Sequence, residues 1–214
     1  MEEPLFATAP FAARWELVER PKPWGREHGL EVPGAKVLLV QRVGGSEPRS
    51  PDRRKYLVCT NGARDQCCAI RGAAVAQALA GARPGQAYES SHLGGHRFAA
   101  NLLVLPDGLC FGRLDVRTAL AVVDELDAGR LPLEHFRGRS SLPEEQQAAE
   151  ILLRRELGID GLDDVTLVEE TTFVLADGRR VTVRVRGEQL EPRRFSCRDD
   201  KLSAPTAWSL VDIV

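Results

Sequence analysis

The feature that most constrains the fold is an alternation of short apolar runs with helical stripes in the first two thirds of the chain. Lys36 to Val43 and Tyr56 to Cys59 have the near-continuous apolar character of buried strands. After the second of these runs, the segment from Cys68 to Ala80 carries apolar residues at helical spacing, and Gly81 ends this pattern. We expect this helix to face the core through Ile70, Ala74, Val75, Ala78 and Leu79.

A hairpin and a second helix complete this pattern. Ala87 to Ser90 reads as a short strand, and Phe98 to Leu105 with Leu109 to Leu114 reads as a hairpin turned at Pro106, Asp107 and Gly108. Val116 to Ala128 is a second predicted helix. Strands alternating with two helices, with a hairpin before the last helix, are the element order of a thioredoxin-like α/β layer.

The chain changes character beyond Gly138. Pro143 to Leu157 predicts a polar helix, and Val165 to Val185 contains a hairpin signal at Asp177-Gly178. We therefore expect a thioredoxin-like domain over residues 1–138 and a C-terminal extension, a helix plus a β-hairpin, over residues 139–214.

Composition and charge narrow the class of protein. The 214 residues have a net charge of −2, and this balance gives no reason to expect a nucleic-acid partner. The acidic N-terminus lacks the pattern of a secretory signal, and no apolar run approaches the roughly 20 residues of a membrane span. We expect a soluble, cytoplasmic protein, in which the five cysteines are reduced thiols or ligands rather than disulfides.

Two cysteines and two histidines form the candidate site. Cys59 ends a strand and Cys68 starts a helix, so folding brings both to one rim of the sheet, and a helix N-terminus favours the thiolate. His92 and His96 lie in HLGGH, where Gly94-Gly95 disfavours a helix and permits a tight loop that turns both imidazoles to one group. Two thiolates and two imidazoles suit zinc or an iron-sulfur cluster.

The remaining cysteines and histidines have ordinary explanations. Cys110 and Cys197 are interpreted as small core residues, and His28 and His135 as surface or capping groups. Spacing alone does not distinguish Cys68 from its neighbour Cys67 as a ligand.

The chain resembles the sucrase/ferredoxin-like family of thioredoxin-like ferredoxins. The resemblance covers about Trp15 to Gly158 and is carried by W-x-L-V-E, P-W-G, VCTNGARDQCC, SSHLGGHRFAANLLVLP, FGRL, FRGRS and Q-x-A-E, in this order. It implies a 2Fe-2S cluster held by Cys59, Cys68, His92 and His96, with Cys67 as a spare thiol. The sequence contains no paired-carboxylate site of the kind that glycoside hydrolysis requires.

The resemblance implies an electron carrier rather than a catalyst, with a reductase as donor and a separate acceptor. Two cysteinates cancel the charge of the oxidised core if both histidines are neutral, so we expect a comparatively high potential and proton-coupled reduction. The alternatives are a structural zinc module with the same four ligands and a thiol-redox enzyme acting through Cys67-Cys68 or Cys59. The thioredoxin-type C-x-x-C is missing, which disfavours the enzyme.

Two charged segments have a functional and an ordinary interpretation. Arg137 and Arg139 offer a small basic site for an acidic redox partner, or else belong to a solvated loop. Arg64-Asp65 matches the loop of the family, or else is an exposed turn pair of little energetic value.

Overall fold

The computed structural model describes residues 4–25, 31–32, 35–44, 54–63, 65–195 and 200–214. The helices of these residues are α1 (Gln66–Ala82), α2 (Val116–Asp127) and α3 (Glu144–Leu157), with a 3-10 helix at His96–Phe98. The strands are β1 (Trp15–Glu19), β2 (Glu31–Val32), β3 (Ala35–Arg42), β4 (Lys55–Cys59), β5 (Ala87–Ser90), β6 (Leu102–Leu105), β7 (Leu109–Phe111), β8 (Phe136–Arg139), β9 (Val165–Glu169), β10 (Thr172–Leu175), β11 (Arg180–Gln189), β12 (Arg193–Arg194), β13 (Leu202–Ser203) and β14 (Thr206–Ile213).

The main sheet is mixed, and the fold is α/β as predicted. Its strand order is β1-β3-β5-β4-β6-β7-β8, with β2 paired to β3. The pairs β1-β3 and β4-β5 are parallel, and the other pairs are antiparallel. Helix α1 connects the parallel strands β4 and β5 and packs against both. The carboxyl ends of these two strands therefore lie side by side, with Cys59 opposite Ser90.

The predicted inward face of α1 is wrong in part. Its buried residues are Cys68, Gly72, Val75, Ala76 and Leu79, whereas the side chain of Ile70 is 75% exposed. The buried set follows the helical spacing from Cys68 and shares Val75 and Leu79 with the prediction, which did not count Cys68 and Gly72 as part of the inward face. Gly72 lies where the helix comes closest to β4, and this orientation turns Ile70 outwards.

Helix α3 packs against a second, antiparallel sheet with the strand order β14-β11-β10-β9. Ala149 and Leu153 of the helix form a core cluster with Phe173, Leu175 and Val183 of the sheet. The hairpin predicted at Asp177-Gly178 connects β10 and β11. The sequence interpretation missed the last strand of this sheet, β14, and also missed β8 of the main sheet.

None of the helices in the described residues combines the length and the apolar character that a membrane crossing requires.

Candidate metal centre

Cys59 and Cys68 meet where α1 begins against the end of β4. Cys59 is the last residue of β4 and Cys68 is the third residue of α1, and both are buried. Gly72, one turn after Cys68, packs directly on the main chain of Cys59: a Cβ atom there would lie 2.2 Å from the Cys59 carbonyl oxygen. The absence of a side chain at Gly72 therefore allows the approach that brings the two sulfurs together.

The two histidines face each other across the glycine loop that follows β5. Gly94 and Gly95 have φ angles of +86° and +73°, a region that residues with a Cβ rarely adopt. The chain then turns into the 3-10 helix that begins at His96. The ring centroids of His92 and His96 lie 5.5 Å apart. The loop thus has the tight conformation that the Gly-Gly pair predicts.

The four predicted ligands come together through His92. Donor atoms of Cys59, Cys68 and His92 lie within 4.8 Å of one another, and so do donor atoms of Asp65, His92 and His96. Among the described residues these are two overlapping sets of three donors, rather than one compact set of four. The donor array is therefore elongated, with two thiols at one end and His96 at the other.

The thiols of Cys59 and Cys68 shift each other's pKa in opposite directions. The Cys68 thiol donates to the Cys59 sulfur, and this contact, helped by His92, holds the pKa of the Cys59 thiol well below its usual range despite burial. The same contact, together with burial, raises the pKa of the Cys68 thiol. A bound metal ion would favour the thiolate form of both cysteines, because metal ligation requires deprotonated sulfur.

Asp65 is a member of the site that the sequence interpretation undervalued. It is completely buried, and its Oδ2 atom lies 3.1 Å from Nδ1 of His96. The interpretation of Asp65 as an exposed turn residue is wrong, while Arg64 lies outside the described residues. Asp65 occupies the N-cap position of α1 without a side-chain capping bond. Its carboxylate lies beside the His96 ring instead, where its negative charge would favour a cation at this end of the site.

Arg137 holds the glycine loop and is not a docking residue. It is buried, and its Nη1 donates to the Gly94 carbonyl at 3.1 Å and to Asn101 Oδ1 at 2.8 Å. Its Nε and Nη2 donate to Thr8 Oγ1 and to the Thr8 carbonyl. Asn101 in turn donates from Nδ2 to the Gly95 carbonyl at 2.9 Å. Both sequence interpretations of Arg137, a partner site and a solvated loop, are therefore wrong.

Arg139 also has a structural role. It lies on β8, and its Nε donates to the buried Glu150 carboxylate at 3.0 Å. The same carboxylate receives a bond of 3.0 Å from the buried Arg154. Arg139 therefore ties β8 to α3 and does not present its charge to a partner. The sequence FRGRS is polar and was not predicted to be a strand. It forms β8 because its arginines donate hydrogen bonds to buried acceptors.

The other thiols have different surroundings. Cys67 is half-buried, and its thiol donates to the His96 carbonyl at a sulfur–oxygen distance of 3.4 Å. Cys110 is buried as predicted, and burial raises its pKa to about 11, so it remains a neutral thiol at neutral pH. Cys197 and His28 lie outside the described residues. His135 is half-buried, and its carbonyl accepts from the Gly112 N–H.

The chemistry of the donor set fits a 2Fe-2S cluster. Two buried sulfurs and two imidazoles are soft and borderline ligands, and they suit iron-sulfur clusters or zinc better than magnesium or calcium. The hydroxyls of Thr60 and Ser90, next to and opposite Cys59, are buried without a hydrogen-bond partner among the described residues. A group with acceptor sulfides could satisfy such donors.

Comparison with known proteins gives one match. A family model described as sucrase/ferredoxin-like matches residues 7–138, more than half of the chain. No curated protein and no solved structure matches the chain.

Proposed function

This chain belongs to the sucrase/ferredoxin-like family, and on that premise we propose that it carries single electrons on a 2Fe-2S cluster. The ligands that we assign are Cys59, Cys68, His92 and His96. The observation that carries the proposal is the pair of overlapping donor sets that share His92.

The elongated array favours a binuclear group over a single ion. Around one tetrahedral zinc ion, with Zn–S distances of about 2.3 Å, all four donor atoms lie within about 4 Å of one another. The described donors instead form two overlapping sets, with His96 in the set that lacks both thiols. Two irons offer two separate ligand pairs, and this array supports that division.

The residues of the site would control charge and protons. Binding of the group would deprotonate Cys59 and Cys68, so two thiolates would supply the ligand charge. Oδ2 of Asp65 lies 3.1 Å from Nδ1 of His96, and a carboxylate at this place would favour a cation at the His96 end of the site. When bound, the cluster supplies reversible uptake of one electron. Reduction adds negative charge beside two imidazoles, and we expect it to be coupled to proton uptake there.

The wider proposal concerns fold and partners. The order β5-β4-β6-β7, with α1 between parallel strands and a hairpin before α2, supports a thioredoxin-like arrangement. We assign residues 1–138 to this domain and residues 139–214 to an extension. We propose a cytoplasmic electron carrier without catalytic activity of its own, which receives electrons from a reductase and passes them to an acceptor.

Anaerobic purification of the full chain after growth with ample iron tests the proposal. We expect a red-brown protein that contains iron and acid-labile sulfide in equal amounts, because a binuclear cluster requires both. Visible absorption, iron analysis and sulfide analysis measure this directly. A colourless protein with stoichiometric zinc would establish the structural zinc module and refute the electron carrier.

A further inference from the structure

A groove opens beside the candidate site, between α1 and the start of α2. Its volume is about 580 Å³, and Ile70, Arg71, Arg97, Arg113 and Val116 are among its lining residues. Ile70 is 75% exposed and Val116 is 39% exposed. Exposed apolar side chains surrounded by arginines are typical of the centre of a protein interface, where arginine is enriched and lysine is depleted.

The groove is basic although the chain as a whole is slightly acidic. Of the described residues that line it, Arg71, Arg97 and Arg113 are cationic and Asp115 is the one with a carboxylate. Asp115 caps α2, and its Oδ1 accepts from the Thr118 N–H at 2.7 Å. The negative charge of Asp115 therefore interacts mainly with the N-terminus of α2. The net charge of the whole chain is −2, so the positive potential here is local.

Two of the groove's cations, Arg97 and Arg71, are held in position by contacts within the protein. The guanidinium of Arg97 lies 4.3 Å from the ring centroid of Phe98 and 3.7 Å from that of Phe195. Arg71 donates from Nη1 to the Ala99 carbonyl at 3.2 Å. Charges that are already ordered lose less conformational entropy when a partner binds.

Two elements, α1 and the 3-10 helix, carry both proposed ligands and residues that line the groove. Arg97 directly follows His96 in the 3-10 helix, and Arg71 lies one helical turn after Cys67 and Cys68 on α1. Electron transfer between proteins slows steeply with distance, so a productive partner must dock close to the cluster. The groove shares α1 and the 3-10 helix with the proposed ligands, so a partner docked there would contact the same two elements.

We propose that this groove is the docking surface for an acidic redox partner protein, with Arg71, Arg97 and Arg113 pairing with carboxylates around the partner's own redox centre. The inference rests on the proposed function and replaces the docking site predicted at Arg137 and Arg139. In the docked complex one electron passes from the reduced partner to the oxidised cluster, or from the reduced cluster to an oxidised partner.

The test uses the full chain and an acidic flavodoxin as the probe protein. The groove variant combines Arg71→Glu, Arg97→Glu and Arg113→Glu. The matched control combines Arg180→Glu, Arg184→Glu and Arg186→Glu, which change the net charge equally on β11 of the second sheet, away from the groove lining. A milder variant with glutamine at the three groove positions removes the charges without reversing them, in case the glutamate variant does not fold.

Stopped-flow absorbance measures the rate at which fully reduced flavodoxin reduces the oxidised protein. At an ionic strength of about 0.01 M, where the Debye length is about 30 Å, we expect the groove variant to react at least tenfold more slowly than the control. At about 1 M the Debye length falls to about 3 Å, and the variants should converge. If the groove variant and the control react equally slowly, the net charge of the protein alone explains the change in rate, and the proposal is overturned.

Small redox ions distinguish a groove that binds an acidic protein from one that attracts any anion. Ferricyanide, an anion, should oxidise the reduced groove variant more slowly than the parent, and hexaammineruthenium(III), a cation, should oxidise it faster. Slower oxidation of the groove variant by ferricyanide together with an unchanged flavodoxin rate would show that the groove attracts small anions rather than an acidic protein, which would refute docking.

Calorimetric titration with flavodoxin tests docking independently of the cluster. We expect binding at low ionic strength to be at least tenfold weaker for the groove variant than for the control. If the protein is colourless, the proposed function fails, and this titration still decides whether the groove binds an acidic protein. If the cluster is present and the variants bind equally, only the docking proposal fails.

Discussion

The close approach of α1 to β4 at Gly72 can be tested with a single methyl group. In Gly72→Ala the new Cβ would meet the Cys59 carbonyl oxygen at 2.2 Å, so helix and strand must separate by roughly 1 Å to restore van der Waals contact. Overpacking of this kind costs about 1–3 kcal/mol, and the rigid main-chain partner favours the upper end. Alanine recovers up to about 1 kcal/mol of helix propensity, so we expect a net loss of about 1–2 kcal/mol.

The same helix supplies the matched control. Gly81 is exposed on α1, and a Cβ there meets nothing within 4 Å, so Gly81→Ala should stabilise the protein by up to about 1 kcal/mol. Urea unfolding followed by circular dichroism measures both free energies of unfolding. Visible absorbance per chain measures the cluster, which Gly72→Ala should lose because Cys68 moves away from Cys59. Equal stability and equal cluster content in the two variants would refute the reasoning.

Four further predictions concern the site. Cys59→Ser and Cys68→Ser should lose the cluster and its visible absorbance, whereas Cys67→Ser should retain it; the opposite result at the two neighbours would transfer the ligand role to Cys67. Arg137→Met should cost about 4 kcal/mol in urea unfolding, at about 1 kcal/mol for each of its four bonded acceptors, and a loss below 1 kcal/mol would contradict the clamp. Asp65→Asn removes a buried negative charge beside a ligand and should raise the reduction potential in a redox titration; a lower potential would contradict this placement. The potential of the parent should fall as pH rises, because reduction increases the proton affinity of the ligand imidazoles, and replacing both histidines by cysteine should flatten this slope if a cluster still assembles.

The sequence predicted elements better than it predicted faces and contacts. β4, α1 and the hairpin were recognisable because apolar runs, helical spacing and turn residues are local signals. The exposure of Ile70 was not recognisable, because the contact of Gly72 with the main chain of Cys59 on β4 determines which face of α1 is buried. The family resemblance identified the four candidate ligands as one set, and the Gly94-Gly95 pair predicted the loop between the two histidines.

The supporting residues of the site were harder to find. Asp65 stands immediately before the helix predicted at Cys68, and a buried acid there could have been suspected only from its position beside the cysteines. Arg137 looked like a surface cation because its acceptors lie far away in the chain, at Thr8, Gly94 and Asn101. Long-range hydrogen bonds of this kind leave no periodic signal in a sequence.

The clamp on the glycine loop has a consequence for biosynthesis. The loop is fixed by Thr8, Asn101 and Arg137, which span nearly the whole segment matched by the family model. While the chain leaves the ribosome, Cys59, Cys68 and both histidines emerge well before Arg137, so all the ligands are exposed before the loop that orients the imidazoles can be locked. Insertion of the proposed cluster into a nascent chain that lacks β8 would meet histidines that this clamp does not yet hold, and we expect productive assembly only after β8 has left the ribosome.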